Sequence, residues 1–410
     1  MAKKKIIIIG GGMSALVCAV LLARGGTKVL LLEKNDKLGK KILVTGNGRC
    51  NLGNRYVSQE HYHSRTKNLF STVYEQFPLE SSLAFFDSIG IPVVELEEGK
   101  LYPQSLQAAS VVKGFLFELE RLGVEIQYSV EIQKIEYTNK FKVQTNIGSY
   151  YANGLVIATG GNSYGNLGTT GDGYNYAKQF GHTIIKPYQS IVQLKTTGTY
   201  NKALKGVKLD AMARLIERDS KALIREEFGE VLFTEYGLSG PPILQLSTLV
   251  YPKIEKTSLS IVLDFFPQYS DEELDQLMCD RFHSLSYRSV ADALNGFLNQ
   301  RLIVPLLKYS EMDPLKKAAH ITRAEREIFV RTLKKYQEEV SDTYIWSQAQ
   351  VTKGGVSCLE INPLTLESQK QNSLYFCGEV VDMDGDCGGF NLQWAISSGA
   401  CIAKNLLSSS

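Results

Sequence analysis

The chain has 410 residues, 44% hydrophobic and 21% charged, a balance that builds a large core and excludes a wholly disordered, collagen-like or disulfide-stapled chain. Its 45 Lys and Arg stand against 43 Asp and Glu, which excludes the basic excess of a polyanion-binding protein. Seven Cys without a CxxC pair exclude a disulfide framework or thiolate zinc site and read as free thiols in a reducing, cytoplasmic setting.

Lys3-Lys4-Lys5 and the apolar run Ile6–Ala23 imitate a leader or membrane span, but Gly10-Gly11-Gly12 breaks the run after four isoleucines. The segment reads as a buried strand (6–9), a glycine turn and a buried helix (13–24), followed by a second strand (28–32) that ends in Glu33. The turn fits GxGxxA. Gly10 permits the sharp turn, Gly12 lets backbone approach a pyrophosphate, and Ala15 lets helix and strand pack closely. Ser14 lies at the helix start, where free N–H groups face phosphate. Glu33, about 20 residues on, is placed to accept from ribose hydroxyls. The whole βαβ unit predicts a bound dinucleotide.

Further along, Lys34, Lys41 and the glycine-rich loop with Gly46, Gly48, Arg49, Cys50 and Asn51 are further cofactor-binding candidates. Arg49 suits phosphate or flavin oxygens, whereas Cys50 suits packing as readily as chemistry. A third apolar strand (154–157) runs into Thr159, Gly160 and Gly161, and a fourth (373–377) stops at Gly378-Glu379. A ligand touched at all these places is long, which favours FAD over NAD.

These motifs fall in two blocks, 1–192 and 346–410, which predict one FAD-binding domain of the α/β Rossmann class made from two chain segments. The stretch between is an insertion. Its short apolar runs (192–194, 204–209, 211–217, 230–233, 259–265) predict a β-barrel-like subdomain over 193–268 and 341–345. Ser270 followed by Asp271-Glu272-Glu273 starts a helical subdomain over 269–340, with helices at 289–298, 302–309 and 322–340. Together the two would lid the flavin and shape a substrate pocket. Over 195–345 the insertion has 21 Lys and Arg against 22 Asp and Glu, which speaks against nucleic acid as a partner. His61-x-His63 reads as solvated surface rather than a metal pair, and no metal site is expected. Asp382, Asp384 and Asp386 lack the terminal Glu of a calcium loop and read as a turn beside the flavin.

The chain resembles the aminoacetone oxidase family of three-domain bacterial flavoproteins, within the two-dinucleotide-binding superfamily. The resemblance is carried by Thr45–Asn51, Gly168–Gly173, Gly237–Pro241, Val351–Val356 and Gly378–Ala395. It implies that Ala158-Thr159-Gly160 is a second flavin motif and that Val130 contacts adenine through its backbone. It also implies that Gly378-Glu379 replaces a Gly–Asp pair at the ribityl or phosphate groups. Gly389, Asn391, Leu392 and Gln393 would open the last helix, its positive end aimed at the flavin N1 edge. The implied activity is oxidation of a small primary amine, aminoacetone, to methylglyoxal, ammonia and hydrogen peroxide, with O₂ as acceptor and FAD held noncovalently. No second GxGxxG unit accompanies the one at 10–15, as a pyridine-nucleotide reductase of this superfamily would normally carry. The alternative is nonetheless an NAD(P)H-dependent reductase of an enone-type substrate, and a third reading is an RNA-modifying flavoprotein. Asn391, Gln393 and Tyr164 are the candidate catalytic residues, with loop packing the preferred role for Tyr164. No partner beyond a small substrate is expected, and no membrane.

Overall fold

Four consecutive isoleucines set the centre of the first unit. The structure, a computed structural model, describes residues 4–66 and 68–408; Lys3 of the lysine triplet lies outside them. Lys5–Ile9 is a strand flanked in parallel by Lys28–Leu32 and Gly154–Ile157. Leu374–Phe376 and Glu125–Gln127 complete a five-stranded parallel sheet on either side. Ile7, Ile8, Leu30, Leu31, Val156 and Ile157 have no exposed surface, as expected of strands covered on both faces. The helix Met13–Arg24 packs against the last helix, Phe390–Ser408, so the two ends of the chain share one layer.

The chain divides into two compact units. One runs to Gln189 and resumes at Ala349, and the other spans Ser190–Gln348. Among the described residues the second unit holds a closed barrel of six strands: Leu194–Thr196, Gly237–Ser239, Leu223–Thr234, Lys208–Glu217, Leu259–Asp264 and Tyr336–Thr343. The architecture is therefore α/β of Rossmann type with an inserted barrel and helices.

Three details of the insertion differ from the sequence reading. The runs 204–209 and 211–217 are not two strands; Asn201–Leu204 is a helical turn, and Lys208–Glu217 is one continuous strand. Gly237–Ser239 does more than punctuate, since it pairs with Leu194–Lys195 and Leu232–Thr234. The helix expected over 322–340 stops at Lys334. Lys335 leaves helical geometry (φ −144°), and Tyr336, Glu338 and Val340 then point inward with period two in the strand that closes the barrel.

The helix Asp271–Ser284 begins where expected, with reciprocal Ser270–Glu273 capping. The helices have no core of their own. Leu274, Met278, Phe282, Leu306, Phe329 and Leu333 join Ala213, Phe233, Ile261 and Tyr336 of the barrel in one cluster. Phe329→Ala should therefore loosen barrel and helices together, costing about 3–5 kcal/mol. Urea unfolding followed by circular dichroism would show one transition for this unit moved to lower denaturant. A second, unmoved barrel transition would mean separate cores.

Candidate functional site: a dinucleotide cradle

The cradle begins where Ile9 gives way to Gly10. Gly10 has φ +107°, and a Cβ there would lie 2.5 Å from the Ala158 carbonyl oxygen. Glycine at this position is required by the protein itself. Gly12 is different. Its φ is −85°, open to any residue, and a Cβ there would meet nothing within 4 Å. The fold leaves room at Gly12 that the fold does not use, at the free N–H groups of the Met13–Arg24 helix start, where a pyrophosphate is favoured.

Glu33 sits buried at the end of the second strand. Its Oε1 accepts from the Asn35 backbone N–H at 2.7 Å and Asn35 Nδ2 at 2.8 Å, which leaves Oε2 on the Gly11 side. Val130 donates its N–H to the Glu33 carbonyl at 3.0 Å. That commits its donor, so a backbone contact to adenine, as the resemblance implies, would have to use its carbonyl. Lys34 turns elsewhere, donating to Thr170 Oγ1 and pairing with Asp172, each at 2.7 Å.

Glu379 is a junction rather than an open ligand group. Its carboxylate pairs with Lys41 and accepts from Ser163 Oγ at 2.7 Å and the Thr352 N–H at 2.8 Å. The extra methylene relative to Asp carries it across to these donors. Thr352 Oγ1 in turn accepts from the N–H groups of Asn162 and Ser163 at 2.7 and 3.0 Å, just beyond Gly160 and Gly161. Lys41 also donates to Ser163 Oγ at 2.6 Å. Ser163 and Thr352 were missed as site residues; Thr352 stood in a quoted motif, but nothing local announces its partners.

The loop of Gly46 and Gly48 folds back on itself, Cys50 donating its N–H to the Thr45 carbonyl at 2.9 Å. Arg49 is exposed and stacks over Tyr102, 5.0 Å from the ring centre. Cys50 is fully buried, and burial pushes its thiol up to about 12, so it is packing and not a nucleophile. Asn51 keeps a buried Oδ1 without a donor among the described residues, beside Gly389. Such an acceptor suits a ligand N–H.

Two of the three catalytic candidates spend their side-chain N–H groups within the protein, although Gln393 Oε1 is buried without a donor among the described residues. Asn391 uses its amide on the turn before it, accepting from the Gly385 N–H at 2.8 Å and donating to the Gly385 carbonyl at 2.7 Å. Gln393 is fully buried, with Nε2 on Ser82 and Ser397 at 3.1 and 3.0 Å. Their contribution is the helix start itself, because the ladder first closes with Gln393 N–H on Gly389 O. The N–H groups of Asn391 and Leu392 precede it. Gly378 donates to Ser398 Oγ and accepts from Trp394 Nε1, each at 3.0 Å, which fixes it against the same helix beside Ser14. Tyr164 is half-buried, and burial raises its phenol above the ordinary value; Lys41 Nζ lies 6.0 Å from its ring centre.

His61 and His63 are not free surface. Both face Asp386, His63 Nε2 at 2.9 Å from Oδ1 and His61 Nδ1 at 3.5 Å from Oδ2. Asp384 is buried against Lys353 at 3.0 Å. Burial, with Asp384 nearby, pushes Asp382 up to about 6. Among the described residues no group of three acidic, His or Cys side chains could hold a metal ion, and no helix is long and apolar enough to cross a membrane.

The void at Gly12, the donorless Asn51 Oδ1 and the open helix start fit a dinucleotide. Gly12→Val should yield folded protein that retains no cofactor, whereas Gly10→Val should misfold through collision with Ala158. Cofactor absorbance per chain and circular dichroism of the two purified variants check this. A Gly12→Val protein that keeps its full cofactor would refute the cradle.

Residues 4–405 match the family described as HI0933-like protein Rossmann domain. The 3-dehydro-bile acid delta(4,6)-reductase of Clostridium scindens is 34% identical over 96% of this chain and 97% of its own. The ribosomal RNA dihydrouridine synthases of Haemophilus influenzae and Escherichia coli are 30% and 29% identical, each over 98% of this chain and over 98% and 97% of their own. The chain belongs to the HI0933-like family of Rossmann flavoproteins and is a flavin-dependent oxidoreductase.

Proposed function

We propose that the protein is an FAD-dependent reductase that saturates a carbon–carbon double bond conjugated to a carbonyl in a small molecule, with NAD(P)H as reductant. The observation that carries this reading is the reaction shared by the named relatives. One is a Δ4,6-reductase of a 3-dehydro bile acid and the others are synthases of dihydrouridine. In each product a double bond conjugated to a carbonyl has been reduced. The small-molecule choice rests on the 34% identity to the bile acid enzyme and on the near-neutral charge of the insertion.

The cofactor is read as FAD, held noncovalently. Gly10, Gly12, Ser14 and Ala15 would take the pyrophosphate, and Glu33 with the Val130 carbonyl the adenosine. Gly160, Gly161, Asn51, Gly389 and the N–H groups of Asn391 and Leu392 would take the flavin end. The cofactor supplies hydride transfer when bound. The chain's own part is to hold the glycine turns rigid through the Lys41–Glu379–Ser163–Thr352 junction, to present helix N–H groups, and to supply a proton.

Oxidation of aminoacetone, which the sequence resemblance implied, has no counterpart among the three relatives. The two readings separate under anaerobic stopped flow. Dithionite-reduced enzyme should be reoxidised by a 3-oxo-Δ4 steroid or a cyclic enone at least about tenfold faster than by buffer alone, a barrier difference near 1.4 kcal/mol. Uridine-containing ribosomal RNA is run alongside. Reoxidation by RNA alone would move the substrate to nucleic acid. Rapid bleaching of oxidised enzyme by aminoacetone, with no response to any enone, would restore the amine oxidase.

A further inference from the structure

The cradle accounts for neither His61 and His63 nor the Asp382–Asp386 turn, yet the fold joins them across 323 positions of chain. Asp384–Gly385 pairs antiparallel with Tyr62–His63, Asp384 opposite His63, and the Asp386 N–H donates to the His61 carbonyl at 2.9 Å. The Asp386 side chain is 3% exposed and accepts from His63 Nε2, while 23% of the His63 side chain stays open.

This couple is tied to the cofactor cradle. His61 stacks on Phe390 with ring centres 4.1 Å apart, and Phe390 is the first residue of the final helix. Asn391 grips Gly385 from the same turn. Tyr62 donates its hydroxyl to the Phe390 carbonyl at 3.0 Å. From the neighbouring strand, Lys353 neutralises Asp384 and stands next to Thr352 of the Glu379 junction. A buried carboxylate on one ring nitrogen fixes the imidazole's orientation and leaves the other nitrogen, Nδ1, as the working one.

We propose that His63, positioned by Asp386, is the acid that protonates the carbon next to the carbonyl as the conjugated double bond is saturated. This rests on the reductase reading above. Saturation adds one hydride and one proton across the double bond. The hydride equivalent is the flavin's contribution, replenished by a nicotinamide nucleotide. The proton comes from the His63 imidazolium: its Nδ1–H bond breaks, the electron pair stays on nitrogen, and a C–H bond forms. The neutral ring regains a proton from water through its open edge.

The test uses holoenzyme carrying Asp386→Asn or His63→Gln, reduced with dithionite and mixed anaerobically with the enone that wild type reduces fastest. Reoxidation by the enone should fall by about 100-fold in both variants. Reoxidation by ferricyanide, which needs no protonation of carbon, should be unchanged, as should cofactor content. Separately, two-bond ¹⁵N–¹H spectra of the protein without substrate should show the His63 ring protonated at Nε2, a signature lost in Asp386→Asn. Unchanged enone rates in the variants would overturn the proposal. So would equal loss of both reactions, or loss of bound cofactor, because the couple would then only brace the turn. A wild-type His63 ring with no proton on Nε2 would overturn it as well. Wild-type enzyme that no enone reoxidises would remove the reductase reading and this proposal with it, and that failure shows before any variant is made.

Discussion

The first unit depends on how closely backbone can approach backbone at the edge of its parallel sheet. Gly10 lies against the Ala158 carbonyl with no space for a side chain, and this contact lets the first and third strands run in register from Ile6 to Ile9. With that approach fixed, the turn must enter the Met13–Arg24 helix directly, and the room beside Gly12 follows. The same closeness recurs where the two ends of the chain meet. A Cβ on Gly399 would come within 2.3 Å of the Ser14 carbonyl oxygen, so the final helix seats itself directly on the phosphate-facing helix.

Around that edge the polar groups divide the labour. Glu379, Lys41, Ser163 and Thr352 satisfy one another and hold four chain segments together. A partly buried carboxylate with this many donors is costly to disturb because each donor would lose a charge-assisted bond. The acids of the 382–386 turn are less evenly matched. Asp384 has Lys353 and Asp386 has two imidazoles, whereas Asp382 keeps a buried oxygen without a donor.

Much of this was legible because it is local. A β-branched run, a glycine turn, an apolar helix and a second strand ending in an acid lie within 33 residues, so spacing alone specifies them. The Asp271 helix announces its own start through Ser270 and Glu273. What stayed hidden is paired over distance. His63 meets Asp386 across 323 positions and Lys41 meets Glu379 across 338, and neither has a local sign. Residues 336–340 continue a helix-compatible pattern from Arg323, and only closure of the barrel makes them strand. Asn391 and Gln393 drew attention because they open the helix aimed at the flavin, but their side-chain N–H groups turn to Gly385, Ser82 and Ser397.

On the proposed reading the first unit holds FAD, with adenosine at Glu33 and Val130 and pyrophosphate at Gly12. The most direct measurement is the identity of the cofactor released when purified protein is denatured by acid, separated by chromatography and quantified per chain. FAD should appear in the supernatant, close to one per chain. Release of FMN, flavin retained in the pellet, or a colourless protein that FAD does not reconstitute would contradict it.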